Sequence, residues 1–145
     1  MAIAVRGMTP LLQVHDMPRS LGFYQELLGF AVIDASPMVE TPEGRFPHWV
    51  WLALGPAQLM LNTAYDDGQR PAERVEARQR WHADTCLYIG VDDIDAVYEE
   101  LRAGLPDLAP PADAPYGMRQ LHLRDPDGYG LCFQAPIRES PHPRA

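Results

Sequence analysis

The sequence predicts an α+β fold built from two βαβββ modules, and two observations carry that expectation. The first is an internal repeat. Residues 12–29, LQVHDMPRSLGFYQELLG, and residues 89–104, IGVDDIDAVYEELRAG, are imperfect copies of one unit. Val14, Asp16 and Met17 match Val91, Asp93 and Ile94 at an offset of 77. Tyr24, Glu26 and Leu27 match Tyr98, Glu100 and Leu101 at an offset of 74, so the first copy carries three extra residues, Pro18-Arg19-Ser20. The second observation is that the echo continues into later strands, where LMLN at 59–62 lines up with LCFQ at 131–134. A period near half the chain is too long for a solenoid unit and fits a duplicated half-domain. Two stacked halves imply a cleft, and function is expected there.

Each element has a local reason. Met8–Val14 reads as a β-run. Asp16 or Ser20 can cap the helix of SLGFYQELLGF, with Pro18 near its first turn. Leu21, Tyr24, Leu27 and Leu28 recur at helical spacing and Gly29 supplies the stop. Phe30–Asp34 begins a short strand, and SPMVETPEGRFP reads as a loop from its prolines and glycine. HWVWLALG and AQLMLN, separated by Gly55-Pro56, form two antiparallel strands. In the connector, residues 64–83, Pro71 is placed to open a short charged helix ending near Trp81. The second module repeats the order: strand Thr85–Val91, a helix from Asp93–Asp95 to Arg102, and a Gly/Pro-rich passage from Gly104 to Tyr116. Strand Met118–Arg124, the turn DPDG and strand Gly130–Gln134 follow. The chain thus divides into module one at about 8–63, the connector at 64–83, module two at about 84–135 and a frayed tail at 136–145, all within one domain.

Composition bounds the function. A chain of 145 residues buries a real core without staples. No apolar run approaches a membrane span, and MAIAVRGMTP lacks a signal-peptide core. Cys86 and Cys132 each fall inside an expected strand, so a reducing cytoplasm is the default and a disulfide framework is not expected. The net charge of -8 argues against nucleic acid and anionic membrane as partners. It favours a cationic small molecule or simply keeps the protein soluble.

The strand-helix-strand-strand-strand order, twice over, resembles the vicinal oxygen chelate superfamily of glyoxalases, bleomycin-resistance proteins, fosfomycin-resistance enzymes and extradiol dioxygenases. VHDMPRSLGFYQELLGF near the start and PYGMRQLHLRDPDGYGLCF near the end carry the resemblance, which runs from about Met8 to Gln134. It implies sheets curled around a common concave cavity, completed by homodimerisation. The superfamily's enzymes hold a divalent metal there with His, Gln or Glu from four strands. Counted from the landmarks Val14, Val91 and Asp125 and from the internal repeat, those positions are Thr9, Met60, Cys86 and Cys132. Hard and borderline cations want oxygen and imidazole donors, so the usual metal site is dismantled and no cofactor is expected. A soft-metal site on the two cysteines and Met60 is the competing reading, against plain packing of buried Cys and Met.

Strand alternation extends those four positions to a cavity-facing set. It adds Leu11 and Gln13, Gln58 and Asn62, Tyr88, and Gln134. The resemblance places His122 with Gln120, and turns Trp49 and Trp51 inward while Val50, Leu52, Leu54, Leu87, Ile89 and Leu121 face the helices. Trp49, Trp51, Gln58, Met60, Asn62, Tyr88, Gln120, His122 and Gln134 are therefore the expected ligand-binding residues. Aromatic faces and neutral amides bind and orient a ligand without reacting. His122 is a candidate general base, but no neighbour in sequence identifies an orienting carboxylate. His15, His48, His82 and His142 show no metal-ligand spacing. DPDG looks catalytic, yet it is turn chemistry first. Three functions stay open: a metal-free binder of a small aromatic or cationic molecule, of the drug-sequestering kind; a lyase, isomerase or dioxygenase with an atypical metal site or none; and a regulatory dimer with a vestigial cavity.

Overall fold

The computed structural model describes residues 2–137; the expected tail beyond that point, with His142, lies outside the described residues. The chain divides between Val75 and Glu76 into two compact units. Among the described residues no helix is long and apolar enough to cross a membrane.

The first unit opens with β1 (Leu11–Val14), shorter than the Met8–Val14 run expected. Pro10 has no N–H to donate, so the ladder ends on its carbonyl, which accepts from Met60 N–H at 2.8 Å. Thr9 therefore precedes the strand. Asp16 caps α1 (Met17–Leu21) by accepting the Arg19 N–H at 3.2 Å. The helix does not run on in α form. Residues Gly22–Leu27 wind as a π-helix, closed by Leu28 N–H on the Phe23 carbonyl at 3.1 Å. Gly29 ends it at φ 87°, a left-handed value suited to glycine. Tyr24 is fully buried, edge-on to Phe23 and to Phe30.

β2 (Ala31–Ala35) follows, and then the expected loop proves to be a hairpin of β3 (Met38–Thr41) and β4 (Gly44–Pro47). Its turn residues, Thr41-Pro42-Glu43-Gly44, connect two paired strands, and the Thr41 hydroxyl fastens the end by donating to the Gly44 carbonyl at 2.7 Å. β5 (Trp49–Leu54) and β6 (Ala57–Thr63) pair antiparallel around Gly55-Pro56, as expected. The sheet order is β1-β6-β5-β2, with β1 parallel to β6. Leu12, Val14, Val50, Leu52, Leu59 and Leu61 are buried on one face, and α1 packs against β4 and β6.

The second unit begins with α2 (Glu76–His82), five residues later than Pro71 suggested. Arg70 is engaged elsewhere, reaching Asp16 at 3.6 Å and Glu43 at 4.0 Å in the first unit, while the Glu76–Arg80 pair supports the helix proper. β7 (Cys86–Gly90) leads to α3 (Ile94–Leu101), capped by Asp93 on the Ala96 N–H at 3.1 Å. The Gly/Pro-rich passage contains a two-residue strand, β8 (Ala112–Asp113), not foreseen in the sequence. β9 (Met118–Arg124) and β10 (Gly130–Pro136) complete the order β7-β10-β9-β8, with β7 parallel to β10. In the DPDG turn the Asp125 carboxylate accepts the N–H of Asp127 and of Tyr129, both at 2.9 Å, so its chemistry is spent on the turn.

The repeat is thus structural as well as sequential. Leu11 pairs with Met60, and their repeat equivalents Tyr88 and Cys132 pair in the same register. The helical segment Met17–Leu27 is three residues longer than Ile94–Leu101, which is where the three extra residues went.

Candidate functional site

Within the first unit, β5 and β6 carry the expected residues on the sheet face opposite the core. Cross-strand partners share a face, so the pairings Trp49 with Asn62, Trp51 with Met60 and Ala53 with Gln58 set out a patch. Burial follows the alternation: Val50 and Leu52 are at 1% and 0% exposure, whereas Trp49, Trp51, Met60 and Asn62 are half-buried and Gln58 is exposed. Leu11, 47% exposed, extends the patch beside Met60. The two indoles lie 6.5 Å apart at 56°, too far tilted to stack on each other. Trp51 Nε1 and Asn62 Oδ1 are buried and have no hydrogen-bond partner among the described residues.

Within the second unit the corresponding face is polar and internally bonded. Register aligns Tyr88, Cys132 and His122 in one row, and Gly90, Gln134 and Gln120 in the next. Gln120 is buried and donates from Nε2 to Tyr116 Oη at 2.7 Å and to Gln134 Oε1 at 3.0 Å. Its Oε1 lies 3.3 Å from His122 Nε2. An amide oxygen can only accept, so that bond makes Nε2 the protonated nitrogen of His122. The Cys132 Sγ, 3.9 Å from the same nitrogen, then directs its proton to the Phe133 carbonyl at 3.7 Å. Among the described residues the hydrogen-bond partners of His122 are Gln120 and Cys132, and neither is a carboxylate that would orient a general base. Tyr116, in the turn before β9, was missed in the sequence; its only signal there is a phenol four residues ahead of Gln120 beside Gly117, which takes φ 88°. Tyr88 is 57% exposed. A cavity of about 200 Å³ on this unit is lined by Cys86, His122 and Arg124 with Ala83, Leu123, Gly130 and Leu131.

The positions to which the resemblance assigns the superfamily's metal ligands, Thr9, Met60, Cys86 and Cys132, do not carry the oxygen and imidazole donors that a hard or borderline cation wants. Thr9 and Met60 offer a hydroxyl and a thioether. Burial pushes the Cys132 thiol up to about 11, and the neighbouring Cys86 adds to the rise. Burial likewise raises Cys86, partly offset by the Arg124 guanidinium. Both effects oppose the thiolate that a soft metal needs. Among the described residues no three His, Cys, Asp or Glu side chains are grouped to hold a metal ion. Of the other histidines, His48 is held by Thr63 at 3.0 Å and Asp67 at 3.0 Å, and His82 stacks on Tyr129 at 4.0 Å.

A lactoylglutathione lyase of Haemophilus influenzae is 30% identical over 133 residues, covering 85% of this chain and 87% of the relative. The solved structure of TnmS3, an antibiotic binding protein from Streptomyces sp. CB03234, aligns with TM-score 0.63 at 25% identity, over 93% of this chain and 99% of that one. A bleomycin-binding protein of Streptomyces verticillus, solved with copper(II)-bleomycin, aligns with TM-score 0.62 over 95% and 100% of the two chains; at 20% identity that likeness speaks for the fold. The family model of the glyoxalase/bleomycin resistance protein/dioxygenase superfamily matches residues 7–133. With nearly the whole chain matched and both sheets in the order the repeat demands, the protein belongs to that superfamily.

Proposed function

We propose that the protein binds a small aromatic or cationic organic molecule without a metal, in the manner of a drug-sequestering protein. The observation that carries this reading is the donor set: Thr9, Met60, Cys86 and Cys132, where the resemblance puts the superfamily's metal ligands, offer a hydroxyl, a thioether and two thiols, and the sheet faces around them carry indoles and neutral amides. Such groups stack and orient; they do not activate a water or polarise a carbonyl. The antibiotic-binding relative TnmS3, at 25% identity, supports the same reading. The homodimer implied by the family pattern belongs to it too, supported by Val32 and Ile33 on the sheet-edge strand β2, which are 40% and 50% exposed. Free, unpaired Cys86 and Cys132 fit a reducing cytoplasm.

The test is elemental analysis of protein prepared without chelator, run beside a titration of intrinsic Trp fluorescence with bleomycin and with simpler aromatic cations. Sub-stoichiometric metal with saturable quenching is expected; one equivalent of Ni, Zn, Fe or Mn per chain, lost in Cys86→Ser or Cys132→Ser, overturns the reading. Light scattering is expected to give twice the chain mass at micromolar concentration, and a monomer mass would remove the dimer. A lyase is the second reading, favoured by the 30% identity to lactoylglutathione lyase. It predicts formation of lactoylglutathione that depends on added divalent metal.

A further inference from the structure

The β3–β4 hairpin has no counterpart in the second unit, where residues 114–117 join β8 directly to β9. In the first unit that hairpin and β2 stand across from the helical segment, and between them lies a cavity of about 400 Å³. That size falls within the range of sites that take small organic molecules. Its floor is Phe46, Pro47 and Val50, all buried. Val50 faces away from Trp49 and Trp51, so the cavity lies on the opposite side of the sheet from the indoles. The helical segment has two distinct faces. Met17, Ser20, Tyr24 and Leu28 are buried in the core, while Pro18, Leu21, Gly22, Gln25 and Glu26, spaced three and four apart, line the cavity.

Gly22 stands at φ −57° and ψ −44°, helical values open to any residue, and a Cβ there would meet nothing within 4 Å. Glycine is a poor helix former, so neither the backbone nor close packing accounts for it. Its missing side chain leaves the cavity open. Gly22 also begins the π-wound turn, a winding that recurs at functional sites. At the rim, the Glu26 carboxylate and the Gln25 amide are exposed and make no hydrogen bond or ion pair among the described residues. Arg45, the cation beside them, is paired with Glu40 at 3.6 Å. The unmatched charge at the rim is therefore negative. We propose that this cavity is a second binding site, taking an organic primary amine whose apolar body lies on Leu21, Phe46 and Val50 and whose ammonium group meets Glu26. An ammonium group donates to the Glu26 carboxylate and to Gln25 Oε1 alike, and a net charge of -8 draws cations to the protein. The site is separate from the sheet face that carries the indoles, and it stands whether or not that face binds a ligand.

The experiment uses the full chain labelled with ¹³C in its methionine methyl groups. Six methionines give six resonances, assigned by Met→Leu substitution. Met38 lines the cavity, and Met60 lies on the other face of the sheet beside Trp51, so one spectrum reads both places separately. Three probes share one saturated ring: 2-cyclohexylethylamine, 2-cyclohexylethanol and 3-cyclohexylpropanoate. The expected result is a saturable shift of Met38 by the amine, bound about fivefold more tightly than the alcohol, the upper end of what an exposed ion pair supplies. The carboxylate should bind most weakly. Glu26→Gln, an exposed change that keeps the fold, should erase the lead of the amine over the alcohol. Gly22→Leu should fill the cavity and abolish the Met38 shifts with all three probes, without lowering the melting temperature. Equal affinity for the three probes would reduce the cavity to an unselective apolar hollow and overturn the proposal. Met38 shifts that survive Gly22→Leu would place the probes elsewhere and overturn it too. Shifts at Met60 with none at Met38 would overturn the second site and leave the sheet-face reading untouched. If Met38 responds to no probe and Met38→Lys turns a dimer into a monomer by light scattering, the cavity is covered by a second copy and the proposal falls.

Discussion

Val50 and Trp51 are neighbours in β5 that point to opposite faces, and exchanging each for alanine tests the assignment on which the site depends. Val50 is 1% exposed and pairs with Leu61, itself 0% exposed. Removing its two methyl groups forfeits about 1.6 kcal/mol of transfer free energy at roughly 0.8 kcal/mol per buried carbon. The space left behind adds to that, bringing the loss to about 2 kcal/mol. For a chain of this size each kcal/mol lowers the melting temperature by roughly 2–4 °C, so Val50→Ala should melt about 4–8 °C below the parent. Binding by the folded protein should be unchanged. Trp51→Ala removes an aromatic face from the patch, and stacking on one indole is worth on the order of 1 kcal/mol beyond area burial. Its affinity for bleomycin or an aromatic cation should fall at least several-fold. Circular dichroism melts and fluorescence titrations on both variants supply the numbers. Parental melting with lost binding in Val50→Ala, beside intact binding in Trp51→Ala, would refute the facing of β5 and with it the site.

Two further outcomes follow from the same coordinates. A Cβ on Gly128 would lie 2.7 Å from the Gln79 backbone oxygen, at φ 87°, so Gly128→Ala should cost at least about 2 kcal/mol in a chemical melt, and an unchanged midpoint would contradict the packing of α2 on the DPDG turn. Cys86 is exposed and Cys132 buried with its thiol raised to about 11, so native protein at pH 8 should yield one thiol to a disulfide reagent and the second only on unfolding; because the folded state holds the proton of Cys132 more tightly than the unfolded value of 9.0, the stability it contributes is full below about pH 9 and lost as pH rises through 11.

Elements that speak through local chemistry were legible in the sequence. Asp16 and Asp93 announce their helices because a carboxylate before a helix has one orphan N–H to take, and both take it. The pairing of β5 with β6 was legible because Gly55-Pro56 interrupts two alternating runs. The β3–β4 hairpin was hidden, since Pro42 and Gly44 look like a loop whether or not the flanks pair. The π-winding of Gly22–Leu27 was hidden too, because its apolar residues keep a spacing that reads as α-helix. For the sheet faces, alternation placed Trp49, Trp51, Met60 and Asn62 opposite the buried Val50, Leu52, Leu59 and Leu61. It gave less on β10, where Leu131, Cys132 and Phe133 are all buried and burial no longer alternates. Tyr116 reaches Gln120 through a turn whose geometry depends on Gly117, and no periodicity points to such a contact.

Duplication explains why the two faces differ in what they can do. The register of one sheet reproduces that of the other, so Met60, Trp51, Asn62 and Trp49 occupy the places of Cys132, His122, Gln134 and Gln120. In the second unit both N–H groups of the Gln120 amide are used within the unit, and a ligand that takes either has to break a bond there. That exchange leaves little net gain. In the first unit an indole, Trp49, stands opposite Asn62, whose Oδ1 is buried without a partner among the described residues. Under the proposed binding role, that face offers aromatic contact that an amide could not.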